Sequence, residues 1–443
     1  MKKNETGKTL SRRGFLKAAG VAAAAPAIIP ASVFARPAPS DTMLFGCIGV
    51  GRQGVGNMQE LIYRGLEVGA RLVAVCDVDR HRTEDAQWLV NGIYARELEK
   101  EGYIGCDGYS DFRALLARPD IDGVLNVTPD HWHAAVGIAA AEAGKDQYCE
   151  KPLTYTIAEG QKLVEAVRRN KTVFQVGSQQ RSSVYFRMAC EAVRNKRIGK
   201  LHTIRVYLPE DQNEGDSTPQ PVPPHLDYDF WVGPAEKKTF CEDRVHPQMD
   251  YSRPGWLQIE GTCRGMITGW GSHMIDTAQW GHGSDDTGPV EIEARGKFPD
   301  RGLFDVHTTF YAETMYADGV KMIVETGEPA GVRFEGDMSW IFVQRGEIHA
   351  FNRDILREKP QAGEIQLINS SNHMKNFLES MRSRKDPITP VDVGHRSNSI
   401  CVLIHIAMKL GRKLRWDSVK ERFIGDDEAN RWLDYEHRKP WVV

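Results

Sequence analysis

Three glycines in the run GVGRQG, Gly49, Gly51 and Gly54, have the spacing GxGxxG directly after one apolar run and directly before an amphipathic one. That spacing suits phosphate chemistry. The first glycine permits a tight turn, the second lets a pyrophosphate come against the backbone, and the third lets the following helix lie close to the strand. The unpaired N–H groups and dipole at such a helix start favour negative charge, and Arg52 and Gln53 lie inside the motif. Asp77 ends the next apolar run, where an acid meets the ribose diol of a dinucleotide. A carboxylate there repels a 2′-phosphate, so NAD is expected over NADP, with Arg80 and Arg82 opposing that preference. His131 and His133 are spaced like a metal pair, but no further ligand clusters near them in the sequence, and no metal is expected. Two other stretches, CEKPLT at 149–154 and GWGSHMIDTAQWG at 269–281, concentrate titratable side chains.

These residues need a frame. From Met43 to Val176 short apolar runs alternate with helical stretches, the pattern of a parallel sheet with crossover helices. Strands are expected at Leu44–Ile48, Arg71–Cys76, Gly123–Val127, Gln147–Cys149 and Thr172–Val176. Val55, Met58, Leu61 and Ile62, and again Ile157, Leu163, Val164 and Val167, form apolar stripes at helical spacing. After a helix over Val184–Arg194 the runs lengthen and alternate, predicting strands at His202–Leu208, Val290–Arg295, Phe304–Tyr316, Val320–Glu325 and Trp340–Val343. Ala317-Asp318-Gly319 and Gly346 supply hairpin turns. The Pro-rich, aromatic stretch 214–238 reads as an ordered excursion near a site, and helices at Asn372–Arg382 and His395–Leu410 pack back on the body. The fold class is therefore α/β: a Rossmann-type doubly wound parallel sheet over 41–176, then an α+β part over 177–443 with a large, mostly antiparallel open sheet.

Composition narrows the partners. With 57 Lys+Arg against 60 Asp+Glu and no basic stretch interleaved with aromatics, neither nucleic acid nor an anionic membrane surface is favoured. Ten Trp, 13 Tyr and 14 His suit a polar ring-shaped substrate, because flat rings stack on sugar faces. Eight cysteines show neither CxxC pairs nor disulfide-scaffold density, and Cys47, Cys76 and Cys149, inside apolar strand-like runs, are expected as small buried hydrophobes. Arg12 and Arg13 precede Gly14-Phe15-Leu16-Lys17, an Ala-rich run to Phe34 broken by Pro26 and Pro30, and the small-residue site Val33-Phe34-Ala35. Residues 1–40 thus read as a twin-arginine export signal and linker, with no cysteine for a lipid anchor. A periplasmic protein that meets the twin-arginine machinery, with no stable membrane anchor, is expected.

In order, GVGRQG, AVCDVD, NVTPDHWH, AGKDQYCEKPL and GSHMID resemble the Gfo/Idh/MocA oxidoreductases, and the resemblance covers essentially everything after the signal. It implies a Rossmann domain followed by an α/β domain with an open sheet, and a sugar lying between that sheet and the nicotinamide. It further implies that Lys151 lies beside the reacting carbinol and that His273 is the acid/base group. Oxidising an alcohol requires removal of the hydroxyl proton, which an imidazole suits, while an ammonium steadies alkoxide character. Pro152 stiffens the segment presenting Lys151. Thr128 and Pro129 correspond to backbone that brushes the cofactor, His131 or Trp132 is expected to reach its nicotinamide side, and Glu150 and Lys151 are counted among the cofactor contacts. Relatives often carry an Asp four residues before the His, where this chain has Gly269; Asp276, three residues after His273, is expected to orient the imidazole or a substrate hydroxyl. Arg181 and Tyr185 are expected at the substrate cleft, with Trp256, Trp270, His225 and Tyr228 as sugar-contact candidates. Assembly into a homo-oligomer through the open sheet is implied by the family.

Export and a nicotinamide seat together constrain the reaction. Free NAD is not expected outside the cytoplasm, so the cofactor must be loaded inside, held tightly and regenerated in place. The expected activity is oxidation of a sugar or glycoside ring hydroxyl, C3 being the position favoured, on a small carbohydrate substrate. The alternatives are a redox-neutral NAD-dependent glycosidase, working by oxidation, elimination, hydration and reduction, and a sugar-binding protein with a vestigial nucleotide site.

Overall fold

Strand formation follows the apolar runs. The computed structural model describes residues 41–357 and 361–441; the twin arginines, Arg12 and Arg13, lie outside them. Strands β1 (Met43–Ile48), β2 (Ala70–Cys76), β3 (Asp107–Tyr109), β4 (Gly123–Asn126), β5 (Asp146–Cys149) and β6 (Phe174–Val176) form a six-stranded sheet in the order β3-β2-β1-β4-β5-β6. Every pairing is parallel, and this order is that of a doubly wound dinucleotide fold. Strands β4, β5 and β6 are buried along their whole length, as covering on both faces requires. β3 escaped the sequence reading because its residues, Asp107-Gly108-Tyr109, carry no apolar pattern; it exists through its backbone pairing to β2.

The crossovers are α1 (Arg52–Val68), α2 (Arg80–Glu97), α3 (Phe112–Leu116), α4 (His133–Glu142) and α5 (Ile157–Asn170). α1 buries Met58, Leu61 and Ile62, the stripe that the spacing predicted. α5 starts at a capping box in which Thr156 Oγ1 accepts from Glu159 N and Glu159 Oε2 accepts from Thr156 N.

The second sheet has nine strands: β7 (Leu201–Leu208), β8 (Glu291–Lys297), β9 (Thr309–Met315), β10 (Lys321–Thr326), β11 (Gly331–Gly336), β12 (Trp340–Gln344), β13 (Glu347–Ala350), β14 (Leu414–Asp417) and β15 (Arg422–Phe423). Their order is β13-β12-β11-β7-β10-β9-β8-β14-β15, antiparallel except for the β7–β10 pair. Burial alternates along β7, β9 and β12, so one face is core and the other is open. The expected strand from Phe304 begins only at Thr309. Phe304 instead packs with Cys241, Ile259 and Leu303, and the Asp305 carboxylate accepts from Glu260 N, which draws the chain off the ladder. Gly319 at φ 89° and Gly346 at φ 84° turn the chain between β9 and β10 and between β12 and β13.

The core face is covered by α6 (Val184–Arg194), α9 (Gly271–His282) and α11 (Val391–Leu410); two short helices, α7 (Tyr228–Val232) and α8 (Met266–Gly269), intervene in the chain. α10 (His373–Ser383) returns to the first sheet, where Met374, Phe377, Leu378 and Met381 pack beside Phe45. Both sheets belong to one compact unit, Met43–Val443. Among the described residues no helix is long and apolar enough to cross a membrane. All eight cysteines are buried free thiols.

Candidate active site

The glycine-rich turn has the local geometry that its spacing requires. Gly49 is at φ 84°, and a Cβ there would stand 2.5 Å from the Val127 carbonyl oxygen. A Cβ at Gly54 would stand 2.3 Å from the Gly49 carbonyl oxygen, so any side chain would push α1 off β1. Gly51 caps α1 without a side-chain hydrogen bond, leaving first-turn N–H groups free for an anion. Asp77 Oδ2 accepts from Val50 N at 2.9 Å and its Oδ1 from Asp79 N at 3.0 Å, which aims the carboxylate over the turn. These residues fit a dinucleotide.

A cavity of about 870 Å³ runs from this turn to the first turn of α9. Gly49, Gly51, Arg52, Gln53, Asp77, Thr128, Pro129, Glu150 and Lys151 line it, and Trp256, Trp270 and His273 close its other end. Glu150 is a hub: its Oε1 accepts from Asn57 at 3.0 Å, Gln179 at 2.9 Å and Gln53 at 3.3 Å, tying α1 to the loop after β6. That network fixes the backbone from which Lys151 enters the cavity. His273 is buried and its Nδ1 has no hydrogen-bond partner. Burial, together with the nearby charges of Lys151 and Arg345, holds its pKa well below 6.5. The imidazole is thus neutral near pH 7 and free to take a proton. Gly269 also lines the cavity, and a Cβ there would meet nothing within 4 Å.

Some expected site residues face elsewhere. Arg181 Nη2 meets Asp276 at 2.8 Å and Asp285 at 2.8 Å, with Ser397 Oγ also donating to Asp276 at 2.8 Å. Arg181 and Asp276 are 2% and 0% exposed and neither lines the cavity, so they form a buried ion pair rather than touch substrate or orient His273. Tyr185 is exposed on α6 away from the cavity lining. His131 is buried with its Nε2 3.2 Å from the Trp231 carbonyl, while its neighbours Trp132 and His133 line the cavity. Gly54 lies beneath the turn against Gly49, acting through packing.

The excursion does reach the site. Arg80 N donates to His225 O and Asp227 N to Val78 O, a strap that carries Phe230 and Trp231 to the cavity beside Asp77. Tyr228 packs on Trp231 and Phe240 with its hydroxyl on Lys238 O, a structural role. Among the described residues Asp79, His81 and His225 have ligand-type atoms within 4.8 Å of one another. Asp79, however, already accepts from His81 N and from His246 Nε2, and the His81 and His225 rings stack at 3.8 Å, so the cluster is satisfied as a clamp.

Sequence reasoning passed over Asp130, Arg253 and Arg345. Asp130, inside the quoted NVTPDHWH, lines the cavity; its Oδ2 is buried without a partner, and burial pushes its pKa up to about 7 against the opposing charge of Lys151. Arg253 and Arg345 also line it. Only Gly346, marked as a turn, hinted that the residue before it projects.

The comparisons concern the domains and their order. Residues 43–178 match "Oxidoreductase family, NAD-binding Rossmann fold", 211–443 match "Oxidoreductase family, C-terminal alpha/beta domain", and 9–28 match a twin-arginine translocation signal sequence. A myo-inositol 2-dehydrogenase of Thermotoga maritima is 29% identical over 187 residues, 42% of this chain and 48% of that protein. A glycosyl hydrolase family 109 protein of Shewanella pealeana is 32% identical over 180 residues, 37% of this chain and 38% of that protein. The chain thus spans about half or less of these curated relatives. In fold it is similar to the WlbA dehydrogenase of Bordetella pertussis, solved with NADH and UDP-GlcNAcA, at 16% identity and TM-score 0.62 over 85% of this chain and 99% of that one. An export signal, an NAD-binding Rossmann domain and the companion α/β domain therefore follow one another along the sequence, and the chain belongs to the Gfo/Idh/MocA oxidoreductase family.

Proposed function

We propose that this protein oxidises a ring hydroxyl, C3 being the position favoured, of a sugar or glycoside in the periplasm, using NAD that it retains. The reading divides the chain into a signal and linker (1–40), a nucleotide domain (41–176) and a substrate and assembly domain (177–443). One observation carries it: Lys151 and His273, from separate parts of the chain, line the same cavity as the glycine-rich turn. Lys151 holds the substrate oxygen and steadies its developing negative charge. His273, neutral through burial, accepts the hydroxyl proton. Trp256 and Trp270 offer flat apolar faces to a sugar ring. When bound, the dinucleotide supplies the hydride acceptor. The open face of the nine-stranded sheet supports assembly into a homo-oligomer.

Purification of the exported protein tests the reading directly. Nucleotide is expected to co-purify and its nicotinamide absorbance to change on addition of a sugar. An empty protein, silent towards every sugar, overturns it.

A redox-neutral glycosidase is the second reading, favoured by the relatives named for glycosyl hydrolase family 109. In heavy water it puts deuterium at C2 of the released sugar with no net oxidation. A stable keto-sugar supports simple oxidation instead.

A further inference from the structure

We infer that the substrate is an anionic carbohydrate, its charged substituent bound by Arg345 at the end of the cavity where His273 stands. The inference rests on the sugar reading of that cavity. Arg345 sits at the tip of the β12–β13 hairpin, and Gly346, at φ 84°, makes the turn that carries it to the cavity. Its guanidinium lies over the Trp270 indole at 4.6 Å, and Trp270 in turn meets the His273 ring edge-on at 6.1 Å. Arg253 reaches the same cavity from the segment before Trp256.

Neither guanidinium makes a hydrogen bond or ion pair among the described residues. By contrast the buried arginines are engaged: Arg181 pairs with Asp276 and Asp285, and Arg264 donates to Tyr155 O, whereas Arg345 keeps part of its surface exposed. Lys151 is a third cation there without an ion-pair partner. The carboxylates lining the cavity form no ion pair with these cations, the Glu150 charge reaching Arg345 only through space. Glu150 is engaged by three side-chain amides, Asp77 by two backbone N–H groups at the glycine-rich end, and burial pushes the Asp130 carboxyl up to about 7. A positive end with an indole wall, next to the proton-accepting imidazole, suits a ring that carries its own negative charge.

A guanidinium stacked on an aromatic face keeps its N–H fork in one plane, which matches the paired oxygens of a carboxylate or of a sulfate or phosphate ester. Dependence on Arg345 also distinguishes this anion from a pyrophosphate, which the glycine-rich turn and the start of α1 would hold.

The test uses the exported protein with whatever nucleotide it carries. Affinities for a methyl hexuronide, the neutral methyl hexoside of the same ring stereochemistry, and its 6-sulfate and 6-phosphate esters are measured by calorimetry at two salt concentrations. Binding of at least one charged sugar is expected to exceed that of the neutral one by about 10- to 100-fold, the worth of hydrogen bonds to a charged group. Higher salt reduces that margin. The preferred member identifies the anion as carboxylate, sulfate or phosphate. In Arg345→Ala the ratio of charged to neutral affinity collapses towards one, and Arg345→Lys recovers part of it. Equal or better binding of the neutral hexoside, or an unchanged ratio in Arg345→Ala, overturns the inference. Neutral sugars oxidised well by a nucleotide-loaded protein would overturn it while leaving the oxidoreductase reading intact. Charged sugars bound selectively by a protein without nucleotide would do the reverse.

Discussion

At the scale of single residues the site depends on how burial sets proton affinity. His273 keeps its base form to well below pH 6.5 because ionising it would bury a charge beside Lys151 and Arg345. Replacing Lys151 or His273 by Ala is expected to lower turnover by about 10²- to 10⁴-fold, as loss of an acid/base or oxyanion partner does. Nucleotide content should change little in His273→Ala. The acid limb of kcat/KM is expected below pH 6.5. In Lys151→Met it should move upward, since removing that cation eases protonation of His273. A pH–rate profile of residual activity, paired with nucleotide quantification, checks both statements. An unmoved limb would show that His273 is not the titrating base.

At the scale of elements, charged groups hold the parts of the site in register. Arg181 joins the loop after β6 to α9 through Asp276, and Ser397 adds α11 to the same carboxylate. Removing one member leaves an uncompensated buried charge, so Arg181→Ala is expected to cost about 3–5 kcal/mol in denaturant unfolding. Replacing Arg181 and Asp276 together by apolar residues of similar volume should recover much of that loss. If Arg181→Ala instead left stability intact and only raised KM, the pair would have to be placed at the substrate after all. Glu150 works in the opposite manner, using neutral amides from α1 and from Gln179 to steady the strand end that presents Lys151.

At the scale of the whole molecule, titratable groups buried throughout the unit make stability depend on pH. His131, His133, His373 and His405 are lowered to about 4 and His307 to about 3, all by burial. A histidine with a depressed folded pKa favours the native state above the unfolded value near 6.5 and opposes it as pH falls, because the unfolded chain takes up the proton first. Asp130 and Glu159, raised to about 7, and Asp211, raised to about 6, act with the other sign. Their contribution is present below about pH 4 and is lost as pH rises through those values. Histidines outnumber these acids, so Tm is expected to rise from pH 4.5 to 6.5, and more steeply in Asp130→Asn, which removes one opposing group. Thermal melts across that range measure both slopes; a flat profile would refute the assignment.

Local chemistry written in short stretches was legible without coordinates. The glycine spacing, the acid at Asp77, the alternation of runs that builds two sheets and the stretches around Lys151 and His273 all follow from backbone sterics and period, which neighbouring residues settle among themselves. Partnership was not legible. Whether Arg181 meets a sugar or Asp276, whether His131 faces a cofactor or the Trp231 carbonyl, and whether Arg345 reaches Trp270 depend on segments far apart in the chain. Only tertiary packing decides which charges are paired and desolvated, and that decision separates groups that hold the fold from groups left free to act.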